Sequence, residues 1–186
     1  MLSGTTATID GLALGGQRLA TSRQREITVR YGAPADADML VSMYRQLSER
    51  TIRLRFGGPR PALADAALRD EMAGVLAGCV ALVGTAGVRG QRSAVALAQL
   101  VQLPHEPASA EVALVVRDDY QREGIGRMLG RMLGDVASAR GVRWLRAYTL
   151  AENQAVMRLI RSLGVPYTAE TRRGETTVLL TLRQEA

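Results

Sequence analysis

The apolar positions of this chain change period several times, and each change marks an element. In ITVRYG (27–32), Ile27, Val29 and Tyr31 alternate with Thr28 and Arg30, the period of a strand with one buried face. After Pro34, ADADMLVSMYRQLSER carries Met39, Leu40, Met43 and Leu47 at helical spacing, and Asp36 and Asp38 suit a helix N-terminus. TIRLRF reads as a second, short helix stopped by Gly57, Gly58 and Pro59, and a third is expected over about 62–77. CVALVG (79–84), AVALAQLVQL (94–103) and AEVALVV (110–116) follow as strands, separated by the turn TAGVRGQ and a loop holding Pro104 and Pro107. AEVALVV is apolar on both faces, which places it at the centre of a sheet. A helix over about 124–139 closes at Gly141, a natural residue just past a helix end. VRWLRAYTL (142–150) is a strand, AENQAVMRLIRSLG (151–164) a helix, and TTVLLTLR (176–183) the last strand.

Strands run in succession before strand and helix alternate, with room for one more strand between the last helix and the last strand. That order fits a mixed α/β (α+β) sheet flanked by helices and not a purely doubly wound one. Residues 26–186 are expected to form a single domain. Residues 1–25 lack periodicity, are rich in Gly, Thr and Ala, and are expected to be a flexible extension. No internal repeat is visible, which excludes a solenoid.

Composition changes this picture little. The hydrophobic fraction of 47% suffices for a core, and aromatics at 4% leave that core to Leu, Val, Ala, Met and Ile. The net charge of +6 is carried by arginine alone, for the chain contains no lysine. Arginine's planar fork suits phosphate and carboxylate, but these arginines are dispersed along the chain, which argues against a nucleic-acid partner. Cys79 has no intramolecular disulfide partner, which fits a reducing compartment. The N-terminus lacks the pattern of a secretory signal. The uncharged stretch from Met72 to Val88 is short for a membrane span, so a cytoplasmic protein without membrane partners is expected. No His, Cys, Asp or Glu cluster has metal-ligand spacing, and His105 reads as a solvated loop residue.

The chemistry concentrates in QREGIG, Gln121 to Gly126, between the central strand and a helix. The first N–H groups of a helix lack intrahelical partners and carry partial positive charge. Gly124 and Gly126 remove the Cβ atoms that would hold a ligand away, and Arg122 and Arg127 add charge, so the stretch can cradle a phosphate or pyrophosphate. A P-loop fails because Arg127 and Met128 follow the second glycine. A dinucleotide fingerprint fails because Leu129 stands at the third glycine. A glycine-rich helix entry without a ligand remains the alternative.

Gln/Arg-x-x-Gly-x-Gly/Ala after a central strand matches residue for residue. With it, AEVALVVRDDYQREGIGRMLGRMLGDVASARGVRWLRAYTLAENQAVMRLIRSLG resembles the GCN5-related N-acetyltransferase (GNAT) superfamily. More narrowly, it and YRQLSERTIRLRFGGPRP resemble the acetyltransferase domain of bacterial Pat-type protein lysine acetyltransferases, over about 27–182. The resemblance implies a mostly antiparallel central sheet of about six to seven strands, and acetyl-CoA as co-substrate. It implies that the backbone of Leu114, Val115 and Val116 pairs with the pantetheine arm. The loop of Gln121, Arg122, Glu123, Gly124, Ile125, Gly126 and Arg127 would hold the pyrophosphate through its N–H groups, and Asn153 would contact the co-substrate.

Glu111 is the catalytic candidate. A carboxylate inside an apolar strand is costly unless paired, exposed or functional. It lies five residues before Val116, roughly 16 Å at about 3.3 Å per residue, which is comparable to the span of the pantetheine arm. It resembles the glutamate that the Pat-type group uses as general base. The tyrosine that many superfamily members carry as general acid falls on Ile160, as is common in that subgroup. Tyr148 and Tyr167 read as packing residues. The implied reaction moves acetyl from acetyl-CoA to a primary amine, a protein lysine or a small amine, on a monomer or homodimer. A non-catalytic acyl-CoA sensor on the same fold is the alternative.

Overall fold

The computed structural model describes residues 16–58, 65–88 and 91–182. Its strands are β1 (Gln17–Ala20), β2 (Glu26–Tyr31), β3 (Val80–Ala86), β4 (Ser93–Leu103), β5 (Glu106–Val116), β6 (Trp144–Leu150), β7 (Tyr167–Arg172) and β8 (Glu175–Thr181). The helices are α1 (Ala37–Arg45), α2 (Glu49–Phe56), α3 (Asp65–Gly78), α4 (Ile125–Ala139) and α5 (Gln154–Leu163). The strands form one sheet of eight, in the order β1-β2-β3-β4-β5-β6-β8-β7. All neighbours are antiparallel except β5 and β6, which run parallel.

The apolar pattern sorts the two faces. On one face α1 and α3 cover Ala81, Val83, Leu97 and Val115 with Leu40, Met43, Leu68 and Met72. On the other, Ile125, Leu129 and Leu133 of α4 and Ile160 of α5 close over Leu82, Val95, Ala98 and Leu145. AEVALVV is central, as its two apolar faces require, with β4 on one side and β6 on the other.

Three local differences from the sequence reading have physical causes. β1 lies inside the segment expected as an extension. Four residues suffice because Gln17–Ala20 pair with Val29–Glu26 across a turn in which the Thr21 N–H donates to the Arg25 carbonyl at 2.9 Å. Residues 1–15 of the expected extension lie outside the described residues. The two helices expected at ADADMLVSMYRQLSER and TIRLRF are both present, but the first stops earlier, at Arg45, and the second starts at Glu49, because the extended backbone of Ser48 lets its Oγ accept from the Thr51 N–H at 3.2 Å and start α2. The expected loop of Pro104 to Pro107 is shorter. Only Pro104 and His105 lie between β4 and β5, and Gln102 Nε2 donates to the Pro107 carbonyl at 2.7 Å across the hairpin.

Candidate functional site

β5 and β6 pair over only three positions, Ser109 with Trp144, Ala110 with Leu145, and Glu111 with Arg146. Beyond Glu111 the two strands part. A groove of about 1030 Å³ opens between them, lined by Val112 to Val116 of β5, Ala147 to Thr149 of β6, α2, α5 and the start of α4.

Register decides which backbone groups of β5 face the gap. The Arg117 N–H donates to the Val95 carbonyl at 2.8 Å, and Val115 opposes Leu97 two residues on. Hydrogen-bonding direction alternates along an antiparallel strand, so the polar groups of Ala113 and Val115 belong to β4. Those of Leu114 and Val116 face the groove. Val115 also buries its side chain between the sheet and α1–α3, so only two of the three residues expected to offer backbone can do so. The Val116 carbonyl in turn accepts from Gln121 Nε2 at 3.0 Å.

Among the described residues, the N–H groups of Arg122 through Arg127 donate to no protein acceptor. The Gln121 N–H is different, for it donates to the Asp118 carbonyl at 3.2 Å. Gln121 serves through its amide instead, which also donates to Thr51 Oγ1 at 3.2 Å and so ties α2 to the end of β5. The loop holds two left-handed residues, Arg122 at φ 60° and Gly124 at φ 85°. Gly124 precedes α4, and a Cβ there would point into open space at the groove. A Cβ on Gly126 would lie 3.4 Å from Leu159 and 3.7 Å from Leu114, an ordinary contact, so that glycine is needed less for ligand approach than its neighbour. A run of unpaired N–H groups at the mouth of a 15-residue helix, with Arg122 and Arg127 beside it, fits a pyrophosphate.

Glu123 points the other way. It is 1% exposed, and its carboxylate is gripped by Arg25, with Nε to Oε2 at 3.0 Å and Nη2 on Oε1. The Arg25 hydrogen bonds, working against desolvation, hold the Glu123 carboxyl below the usual carboxylate range. Asn153 caps α5. Its Oδ1 accepts from the Val156 N–H at 3.2 Å, its Nδ2 donates to Thr149 Oγ1 at 2.9 Å, and it lines the groove.

Glu111 sits at the vertex where the strands part, half-buried, with no hydrogen bond or ion pair to its carboxylate among the described residues. Its strand neighbour Arg146 turns away to fork Glu106, at 3.2 and 2.6 Å. Ile160 is 4% exposed and lines the groove, so no acid stands at that position.

Other groove residues carried no signal along the chain. Asp118 accepts from the Ser48 N–H at 2.9 Å and from the Ser48 and Thr51 hydroxyls at 2.7 Å each. Burial pushes its carboxyl up, but those hydrogen bonds outweigh it and hold it low. Arg55 of α2 donates to Gln99 Oε1 at 2.6 Å beside β5. Tyr148, expected to pack, is 59% exposed on the groove wall. Tyr167 is half-buried and packs against the core as expected.

An acetyltransferase (GNAT) domain model matches residues 26–165. Acetyltransferase Pat of Mycolicibacterium smegmatis is 37% identical over 76 residues, which cover 41% of this chain and only 23% of the length of that relative. The GNAT domain of S. lividans PAT superposes with a TM-score of 0.75 at 24% identity, covering 90% of this chain and 97% of that one. The putative acetyltransferase yncA from Salmonella typhimurium, solved with acetyl-CoA, gives 0.63 at 22% identity over 86% and 94%. A cAMP-binding acyltransferase from Mycobacterium smegmatis gives 0.60 at 25% identity, and this chain spans about half of it, 47%.

Proposed function

The chain belongs to the acetyltransferase (GNAT) domain family, with acetyl-CoA as co-substrate, and from that premise we propose that it acetylates a primary amine on protein lysine side chains, with Glu111 as general base. The observation that carries the reading is the parting of β5 and β6 immediately after Glu111. The gap leaves backbone groups of Leu114 and Val116 facing an extended ligand, with a cradle of N–H groups at one end and a half-buried carboxylate at the other.

The co-substrate supplies the acetyl group as an activated thioester. Arg122 to Arg127 fix its pyrophosphate end, and β5 sets its arm in line toward Glu111. The Glu111 carboxylate takes a proton from the acceptor ammonium, directly or through water, and leaves a neutral amine to attack. The C–N bond forms as the C–S bond breaks, the sulfur departs as a thiolate, and the second proton lost from nitrogen passes to that thiolate or to water. A free thiol has a pKa of about 8.5, so departure without an acid is affordable where Ile160 stands. The lysine acceptor rests on the resemblance of the sequence to Pat-type protein lysine acetyltransferases.

Melting with and without acetyl-CoA is the first test. At a hundredfold excess over Kd, binding adds about 2.7 kcal/mol, and for a chain of this length that is a rise of roughly 5–10 °C. Turnover is then read on lysine peptides and on small amines. Binding without turnover on either set would favour an acyl-CoA sensor; turnover on small amines alone would move the acceptor to that class.

A further inference from the structure

We propose that Arg25 is a positioning residue for co-substrate binding, which neutralises Glu123 and holds it behind the 121–127 loop so that the loop offers its ligand only donors. The inference rests on reading that loop as the pyrophosphate cradle.

Glu123 poses a problem for such a cradle. It lies in the middle of the run of free N–H groups, between Arg122 and Gly124. A carboxylate there would repel a pyrophosphate and compete for the same donors. The structure answers with a residue 98 positions away in the chain. Arg25, in the turn between β1 and β2, forks both oxygens of Glu123. Its Nη2 also donates to the Asp119 carbonyl at 2.6 Å, and its guanidinium lies 3.6 Å over the Tyr120 ring. Arg23 approaches the same carboxylate at 3.7 Å, and the Ser22 N–H donates to the Glu123 carbonyl at 3.1 Å. One turn thus grips residues 119, 120 and 123 from outside the groove.

The grip also fixes direction. With Glu123 drawn outward and Arg122 and Gly124 both left-handed, the chain around it is set before any ligand arrives. Strained backbone of this kind persists only where its surroundings over-determine it. The fork of an arginine, and not a lysine's single ammonium, occupies both oxygens at once.

Separating the electrostatic role from simple bracing takes four proteins: wild type, Arg25→Gln, Glu123→Gln and the double variant. Acetyl-CoA Kd is measured by calorimetry and Tm for each. Arg25→Gln should weaken binding about tenfold or more, since it removes the fork from Glu123 and leaves only the looser Arg23, at 3.7 Å, beside a charge at the cradle. Glu123→Gln and the double variant should lower Tm yet bind more tightly than Arg25→Gln, because no carboxylate then remains to repel the ligand. Arg25→Lys, which keeps the charge, should fall between wild type and Arg25→Gln and serves if Arg25→Gln does not fold. A Kd that tracks Tm across the set, or Arg25 variants that bind like wild type, overturns the inference alone. A wild type that binds no acetyl-CoA removes the cradle reading and the inference together.

Discussion

Glu111 and Arg146 are the last residues to pair between β5 and β6, yet their side chains do not join, because Arg146 forks Glu106 instead. The pairing places Glu111 at the point where the strands part, next to Val112, the first groove-lining residue of β5, and the diversion of Arg146 leaves its carboxylate without an ion pair among the described residues, as the proposed base requires. Glu111→Gln keeps the shape and removes the base. We expect kcat to fall about 10²- to 10⁴-fold while acetyl-CoA affinity stays as in wild type. A variant with unchanged kcat would assign the proton transfer to another group.

The two glycines of the loop should respond differently to the same change. Gly124 has φ 85°, so Gly124→Ala is strained and points its methyl at the ligand. It should cost about 1 kcal/mol in stability and weaken acetyl-CoA binding. Gly126 lies in the first turn of α4 with room for a Cβ against Leu159. Gly126→Ala should leave affinity intact and raise stability by up to about 1 kcal/mol through helix propensity. Equal loss of affinity in both would mean that the ligand approaches Gly126 as closely as Gly124.

What could be read in the sequence, and what could not, divides along the distance between partners. β5 announced itself because seven consecutive residues carry its pattern, with Glu111 as the exception inside it. The loop proposed as the cradle was legible because Gly124 and Gly126 stand together between a strand and a helix, a pattern local in the chain. The Arg25 grip was invisible, since nothing near Glu123 in the chain says that its side chain turns away. β1 escaped notice because QRLA has no pattern of its own and is held only by its partner strand. A second helix at TIRLRF was legible, but the position of the break needed the cap geometry of Ser48, for the helical spacing of Met39, Met43 and Leu47 runs up to it without interruption.

With no lysine in the sequence, the protein should acquire no acetyl mark on its own side chains at lysine. Incubation with acetyl-CoA followed by intact mass and peptide mapping should find acetyl at most on the N-terminal amine. Acetylated Arg, Ser or Tyr would contradict an amine-specific enzyme.

Asp36 offers a pH test of how the helical layer is attached to the sheet. Arg30 of β2 forks its carboxylate at 2.7 and 2.6 Å, and the Ala33 N–H donates to it at 2.9 Å. The Arg30 hydrogen bonds outweigh desolvation and hold the carboxyl below its ordinary value. The unfolded chain therefore binds the proton more readily than the folded one, and acid favours unfolding. This contribution is complete above the unfolded pKa of about 3.9 and disappears as pH falls through the lower folded pKa. Asp36→Asn has no proton to bind at this position. Its Tm should lie below wild type from pH 8 to about 5, and the gap should narrow steadily below about pH 4. A gap that stays constant to pH 2 would mean that Asp36 stabilises by shape and not by charge, with Arg30 indifferent to which acceptor it meets.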